Sequence, residues 1–401
     1  MSNVNTKAVQ LFLCCASITG SVDAIADIQF NGFGSVRGSY LSSDSSQIDR
    51  PVTILPEDGE LTFKDESIFG IQAKSDLGGG LSATIQMVAD GREDFDLNAR
   101  WAYLSYALND QYTIHVGRLV NPIFYQSEYE IVGYAHNFAR LPISVYQRFD
   151  FNTFEGIGLD SRFLLNGVNI DARLSYGTWD GTILIASTGQ EESTGFDSLT
   201  SLKVQASKDW WTVYAGGLLT KFKRGSIDDF FETIVQGGVN AALQNGAGTA
   251  EAEELFTLAR YAESDASYWY AGYAIEYNNI TSSFEYTSYG IDDSLFPDVD
   301  AWYLSLGYRL DDFVFTVRKE RLNRRYEFDR FDFIENPILN ATARSVHTVL
   351  GSANNINGVG ATIRYDFHSN AALKLDYYTG NDNKTNDSDY HVITVGIDFI
   401  Y

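Results

Sequence analysis

The run VNIDARLSY, residues 168–176, carries the pattern on which the fold turns. Val168, Ile170, Ala172, Leu174 and Tyr176 alternate without a break with Asn169, Asp171, Arg173 and Ser175. A period of two sends successive side chains to opposite faces of a β-strand, so one face here is apolar and the other polar and charged.

The same alternation recurs in both directions. Phe30, Val36 and Tyr40 oppose Gln29, Asn31, Ser35, Arg37 and Ser39; Leu202, Val204 and Ala206 oppose Lys203 and Gln205. Phe313, Phe315 and Val317 oppose Thr316, Arg318 and Glu320; Val359, Ala361, Ile363 and Tyr365 oppose Thr362, Arg364 and Asp366. Sixteen strands follow, near 27–40, 66–77, 80–90, 97–108, 111–118, 152–163, 167–177, 198–208, 210–221, 267–277, 279–290, 299–309, 312–324, 356–367, 371–379 and 388–401.

Short connections such as Asn109-Asp110, Asn166-Gly167 and Asn278-Asn279 alternate with long, acidic ones such as 41–65 and 178–197. A soluble sandwich has no reason to gather its long loops at one end. An antiparallel transmembrane β-barrel with an even strand number does, with tight turns on one side and long loops on the other. The fold class is therefore all-β.

Composition agrees. The 401 residues include 25 Tyr and 26 Phe, enough to furnish aromatic girdles at two membrane interfaces. Trp101, Tyr103, Trp211, Trp269, Tyr273, Trp302, Tyr365 and Tyr377 fall on apolar faces by parity. No run reaches the roughly 18 apolar residues of a membrane helix, so any crossing is by strands. The net charge of −24 excludes nucleic acid as a partner, because such binding releases counterions through clustered Lys and Arg.

Residues 1–26 read as a secretory signal: Lys7 ahead of an apolar stretch, then Ala24-Ile25-Ala26 as a cleavage site. The mature chain is expected to begin at Asp27 and to form one domain, 27–401, without cysteine, since Cys14 and Cys15 lie in the signal. The chain ends HVITVGIDFIY, a strand whose expected partner is the first one, because a membrane sheet leaves no edge unpaired.

Two connections break the pattern. Residues 119–151 have no steady period, yet they are aromatic-rich and hold Glu128, Glu130, Arg140 and Arg148. A structureless stretch of this length is commonly functional, and we expect it to fold into the lumen as a constriction loop. Residues 222–266 contain IDDFFETIVQGGVNAALQ and AEAEELFTLARYA, whose spacing predicts one or two helices in a long external loop. Ile227, Phe230, Phe231, Ile234 and Val235 form its apolar stripe.

The segments FNGFGSVRGSY from Phe30, RWAYLSY from Arg100 and HVGRL ending at Leu119, followed by the long third loop and the terminal aromatic, together resemble the general bacterial porins. That family consists of trimeric sixteen-stranded channels of the Gram-negative outer membrane. The resemblance implies a homotrimer that passes small hydrophilic solutes and ions, with outer-membrane lipid and lipopolysaccharide around it. By resemblance, Arg100 stands as a wall arginine facing the loop carboxylates Glu128 and Glu130. Arg37 lies close to a basic wall position, whereas Ser67, in SIFGIQAK, occupies a place where the family carries arginine.

The expected constriction is Glu128 and Glu130 opposite Arg37, Arg100, Arg148 and Arg162. Arg173, Arg318 and Arg364 also point inward by parity, either as a basic track or paired with Asp171, Glu320 and Asp366. A pore discriminates by radius and by lining charge. The histidines stand singly and no metal-ligand spacing occurs, so neither a cofactor nor a metal is expected. His115 and Ser105 fall on neighbouring strands, but parity places them on opposite faces, so no catalytic pair is expected. Two further readings are a substrate-selective channel using Phe124, Tyr125, Tyr129 and Tyr134, and an adhesion or structural barrel with a closed lumen.

Overall fold

In the computed structural model of the protein, residues 28–43, 59–146, 151–185, 190–352, 355–382 and 388–401 are described. Residues 1–26, read above as a signal and holding Cys14 and Cys15, together with Arg148 and the loop carboxylates Asp44, Asp49, Glu57 and Asp58, lie outside these residues.

All strands belong to one sheet of seventeen members, one of which, Leu61–Thr62, is a two-residue bridge onto Ser39 and Tyr40. The other sixteen build the wall. They are β1 Ile28–Ser43, β2 Ile68–Gly78, β3 Leu81–Asp90, β4 Leu97–Ala107, β5 Tyr112–Val120, β6 Thr153–Leu165, β7 Val168–Ile185 and β8 Gln190–Lys208. Then follow β9 Trp211–Lys223, β10 Asp265–Tyr277, β11 Ile280–Ile291, β12 Val299–Leu310, β13 Phe313–Arg324, β14 Ile356–His368, β15 Ala371–Asp382 and β16 Ser388–Ile400. Each pairs antiparallel with its sequence neighbours, and β16 returns to β1 from Phe33↔Ile400 to Ser43↔Tyr390. The wall closes, so it has no open edge.

The tight turns use the backbone expected of them. Asn166 and Gly167 both have positive φ, at 52° and 78°, the requirement of a two-residue turn whose twist matches the strands it joins. Over 179–185 and 190–196, within the connection 178–197 that the spacing predicted as a loop, β7 and β8 instead stay paired, from Trp179 with Phe196 to Ile185 with Gln190. The alternation is weak there, but the ladder that begins lower on β7 and β8 supplies a template that extends it.

The outer face is a band of exposed apolar side chains. Leu104, Val116, Ile157, Leu174, Leu202, Leu306, Val317, Ile397 and Trp269 are all open on the outside. A monomer in water does not leave so continuous a patch, whereas hydrocarbon is the solvent that suits it. Trp101 and Tyr103 depart from the sequence reading: both line the lumen.

Three helices cap the long-loop end: α1 Ser226–Gln244, α2 Thr249–Ala259 and α3 Pro337–Ser352. The first two occupy the predicted helical stretch. Ile227, Phe231 and Val235 are buried there, while Ile234 points outward. The third was not expected, although Asn336 caps it by accepting the N–H groups of Ile338 and Leu339, with Pro337 at its first position. Val239, Leu255, Leu258, Leu339 and Val346 join the inward aromatics of the wall in one apolar cluster. That cluster also takes in Ile123, Phe124, Ile143 and Tyr146 of the third loop.

Candidate functional site

The third loop leaves β5 at Val120 and re-enters β6 at Thr153, its base tied by the Asn121 N–H on the Asn152 carbonyl. Between these points it folds into the lumen. At its root the Pro122 carbonyl accepts the Tyr270 hydroxyl at 2.9 Å, and Phe124 packs against Tyr146 and Tyr268. Tyr125 stacks on Tyr214 at 4.1 Å, and its N–H reaches Glu285 at 3.1 Å.

The far limb is held from several strands. Lys374 donates to the Gly133 and Phe138 carbonyls at 2.7 and 2.8 Å and pairs with Asp398 at 2.7 Å. Arg364 donates to the carbonyls of Tyr134 and His136, both at 2.9 Å. Arg140 makes a two-pronged bond to Glu66, 2.5 Å on each prong, with both side chains buried. Ser144 donates its N–H to Glu320 at 2.7 Å, and the Tyr146 hydroxyl to Glu285 at 2.5 Å. The loop is thus a buried partition fastened by charged side chains, some bonded to its backbone carbonyls and amides and others to its own Arg140 and Tyr146 side chains.

Gly133 is fixed by this seat. A Cβ there would collide with both the Arg37 guanidinium and the Asp398 carboxylate, so only glycine lets the backbone lie against the wall.

Glu66 and His136, both outside the spanning strands, have displaced pKa values. The Arg140 guanidinium holds Glu66 down at about 2 against the opposing effect of burial. Burial, with Lys374 and Arg37 nearby, lowers His136 to about 3. His136 is therefore neutral, and its Nε2 donates to the Tyr129 and Glu130 carbonyls.

The free edge of the partition carries the two expected carboxylates. Glu128 meets Arg173 at 2.7 Å and Lys203 at 3.4 Å, two wall cations directly opposite each other on β7 and β8. Glu130 meets Arg100 at 3.3 Å. Gln86 pairs with Trp101 and Met87 with Ala99, so Arg100 is the extra residue of a β-bulge. A bulge re-aims a side chain that strict alternation would send outside.

The other expected residues divide. Arg37 pairs with Asp398 at 2.7 Å under the loop tip and lines the small cavity at the long-loop mouth together with Glu130, and it does not face Glu128. Arg162 is 79% exposed near the short turns, bound to Asp171 directly across from it. Arg173, expected on a strand remote from the loop, is Glu128's partner, and its wall partner is Asp160 rather than Asp171. Arg318 is buried between Asp376 and Glu320, and Arg364 is bound to Asp366 and the loop. These two are anchors beneath the partition, not members of an exposed basic track.

Three cavities follow the charged edge through the barrel. One of about 80 Å³ at the long-loop side touches Glu130, Arg140 and Arg92. A second, of about 220 Å³, lies at the level of Trp101, Leu119 and Gly158. The third opens to about 620 Å³ at the short-turn side. The last two share Tyr103, His115, Glu128 and Arg173, which therefore ring the neck between them.

Parity misplaced one pair. Ser105 and His115 sit directly opposite each other on β4 and β5, so both face the lumen. The Ser105 Oγ lies 2.8 Å from Nδ1 of His115, whose Nε2 is 3.2 Å from Asp160. The three residue types are those of nucleophilic hydrolysis, but two features speak against it. Asp160 is already held by Arg173 through both oxygens. Ser105 lies in mid-ladder between Ser82 and His115, where its neighbouring amides serve the sheet and form no oxyanion hole. The row is better described as a hydrogen-bonded chain running from Ser105 to Glu128 along the neck. Among the described residues no group of side chains is arranged to hold a metal ion.

No family model and no curated protein sequence matches the chain. Solved structures do match in fold. The anion-selective porin from Comamonas acidovorans superposes with a TM-score of 0.55 at 12% identity, over 94% of this chain and 100% of that one. The outer membrane channel DcaP of Acinetobacter baumannii gives 0.55 and 12%, over 95% and 99%. OmpT, an outer membrane protein of Vibrio cholerae, gives 0.53 and 12%, over 96% and 100%. The barrel is thus of the bacterial outer-membrane porin type, the likeness that the sequence motifs suggest.

Proposed function

We propose that the protein is a channel of the Gram-negative outer membrane through which small hydrophilic solutes and ions diffuse passively, with no bond made or broken. The observation that carries this reading is the charged neck. Glu128 on the partition faces Arg173 and Lys203 on the wall, and cavities lie on either side of it.

Opposite charges across a narrow, water-poor gap interact more strongly than in bulk, on the order of 4 kcal/mol for a close pair at an effective dielectric near 20. A solute crossing there must exchange its hydration for this field, which favours polar molecules and disfavours apolar ones. The lipid-facing band supports a membrane setting, and lipid with lipopolysaccharide as its surroundings. A homotrimer is part of the proposal, since one of the similar structures, that of in-vitro folded OmpT, is described as a trimer form. The constriction is assigned to 119–151, the signal to residues 1–26 and the mature domain to 27–401.

The test is single-channel recording of the refolded mature protein in a planar bilayer. Discrete openings that appear in groups of three support the channel and its assembly; a silent bilayer from correctly folded barrel contradicts the channel and favours an adhesive or structural barrel.

A further inference from the structure

The lumen holds a second chamber that the charged neck does not use. It lies on the short-turn side beneath the partition, against β7–β13, and its volume is about 520 Å³, within the ~300–1,000 Å³ of ordinary ligand pockets. Above it the lumen is filled: Glu285, Tyr303, Tyr214 and Arg318 form a buried layer under the loop. The chamber is therefore blind, open only toward the short turns.

Its chemistry differs from that of the neck. Around the wall stand Asn169, Ser207, Thr212, Ser283, Ser305 and Thr316, and the roof presents Tyr125, Gln126, Tyr129 and Asn137. The Tyr125 hydroxyl is bonded to Tyr129 and Thr212, and Ser283 to Ser305 at 2.6 Å. Charged residues appear only toward the rim, as Lys208, Asp209 and Glu276. The lining thus offers hydroxyl and amide groups, able to donate and accept, with no fixed charge among them away from the rim.

We propose that this chamber binds an uncharged polyhydroxylated solute of the saccharide class. Such a molecule offers both donors and acceptors to hydroxyls and amides that can themselves do either, and it brings no charge that the distant rim would have to neutralise. A carboxylate or ammonium solute would lose hydration without gaining a counter-charge, a loss that favours the charged neck instead. The inference names a solute class for the proposed channel, and it rests on that reading only in placing solutes within the lumen.

The test is a saturation-transfer NMR titration of the folded protein with glucose, glucuronate and glucosamine, which share one ring and differ in charge. The expected result is saturable transfer for glucose that is lost or weakened at least about fivefold for the other two, and weakened about five- to tenfold by Thr212→Val or Ser283→Ala, roughly the worth of one hydrogen bond. Equal behaviour of the three sugars, absence of saturable transfer, or indifference to both substitutions in a barrel that still folds would overturn the proposal. Bilayer conductance separates the two readings. Binding in a silent barrel leaves the site and removes the channel; normal conductance without binding does the reverse.

Discussion

The two sides of the lumen obey one rule of alternation and reach opposite ends. Along β6–β8 the inward positions below and at the neck are charged or small: Asp160, Arg173 and Lys203 beside Gly158 and Ser175. Along β9–β12 they are bulky: Tyr214, Tyr268, Tyr270 and Tyr303 are all buried. The first set leaves a narrow, polar-lined neck. The second meets the root of the third loop and the helical cap in a continuous apolar cluster and closes that side. Strand number fixes the bore of a barrel, but the size of the inward side chains decides how much of it remains open.

The largest effect that tests this contrast should come from loosening the partition. Arg140→Ala leaves the Glu66 carboxylate buried without its cation, a loss of about 3–5 kcal/mol for a broken buried pair. Amide exchange in residues 133–146 should rise and the single-channel trace should become noisy. A quiet trace with protected amides would show that the loop is held mainly by the apolar cluster.

Acid should imitate that substitution. Glu66 is held at about 2 against an ordinary value of 4.5, so its contribution is complete above pH 4.5 and is lost as pH falls toward 2. His136, lowered to about 3 from 6.5, is a base kept neutral by folding. Its contribution is complete above pH 6.5 and falls away between 6.5 and 3, as the unfolded chain takes up a proton that the folded loop refuses. Loop opening followed against pH, as amide exchange divided by the intrinsic exchange rate at each pH, should therefore increase from below pH 6.5 and steepen below 4.5.

A smaller effect is expected at the neck. Glu128→Gln removes the one loop carboxylate between Arg173 and Lys203, and the reversal potential in a salt gradient should move toward anion preference with folding unchanged. An unmoved potential would place the selectivity in the acidic outer loops.

The smallest effect on conductance belongs to the cap. Asp228 accepts the N–H groups of Gly225, Tyr261 and Ala262, so Asp228→Ala should cost about 1–3 kcal/mol of local cap stability. Because the cap lies over the closed side, the conductance should not change; a clear rise would mean that the cap also covers the neck.

Much of the wall was legible because a one-residue slip would turn every side chain to the wrong solvent, which keeps the alternation strict. The carboxylates Glu128 and Glu130 stood out for the same reason, in the one long stretch without a period. Their partners were harder. Whether Ser105 shares a face with His115, or Arg173 pairs with Asp160 rather than Asp171, depends on cross-strand register, which periodicity within a strand does not contain. Arg100 reaches the lumen through a bulge that no single-strand pattern announces. The third helix carried its signal in Asn336-Pro337 and the apolar spacing that follows, but it sits in a connection that a barrel reading treats as loop.

The most direct test of the asymmetry places single thiols on the two sides of the lumen in residues 27–401, which contain no cysteine. Gly158→Cys suits the neck side, since a Cβ there has its nearest neighbour, Leu119, at 3.4 Å. Thr281→Cys suits the blind chamber. With a sulfonate-bearing thiol reagent added during single-channel recording, the account predicts a stepwise block at position 158 and an unchanged current at position 281. Block at 281 with none at 158 would contradict it.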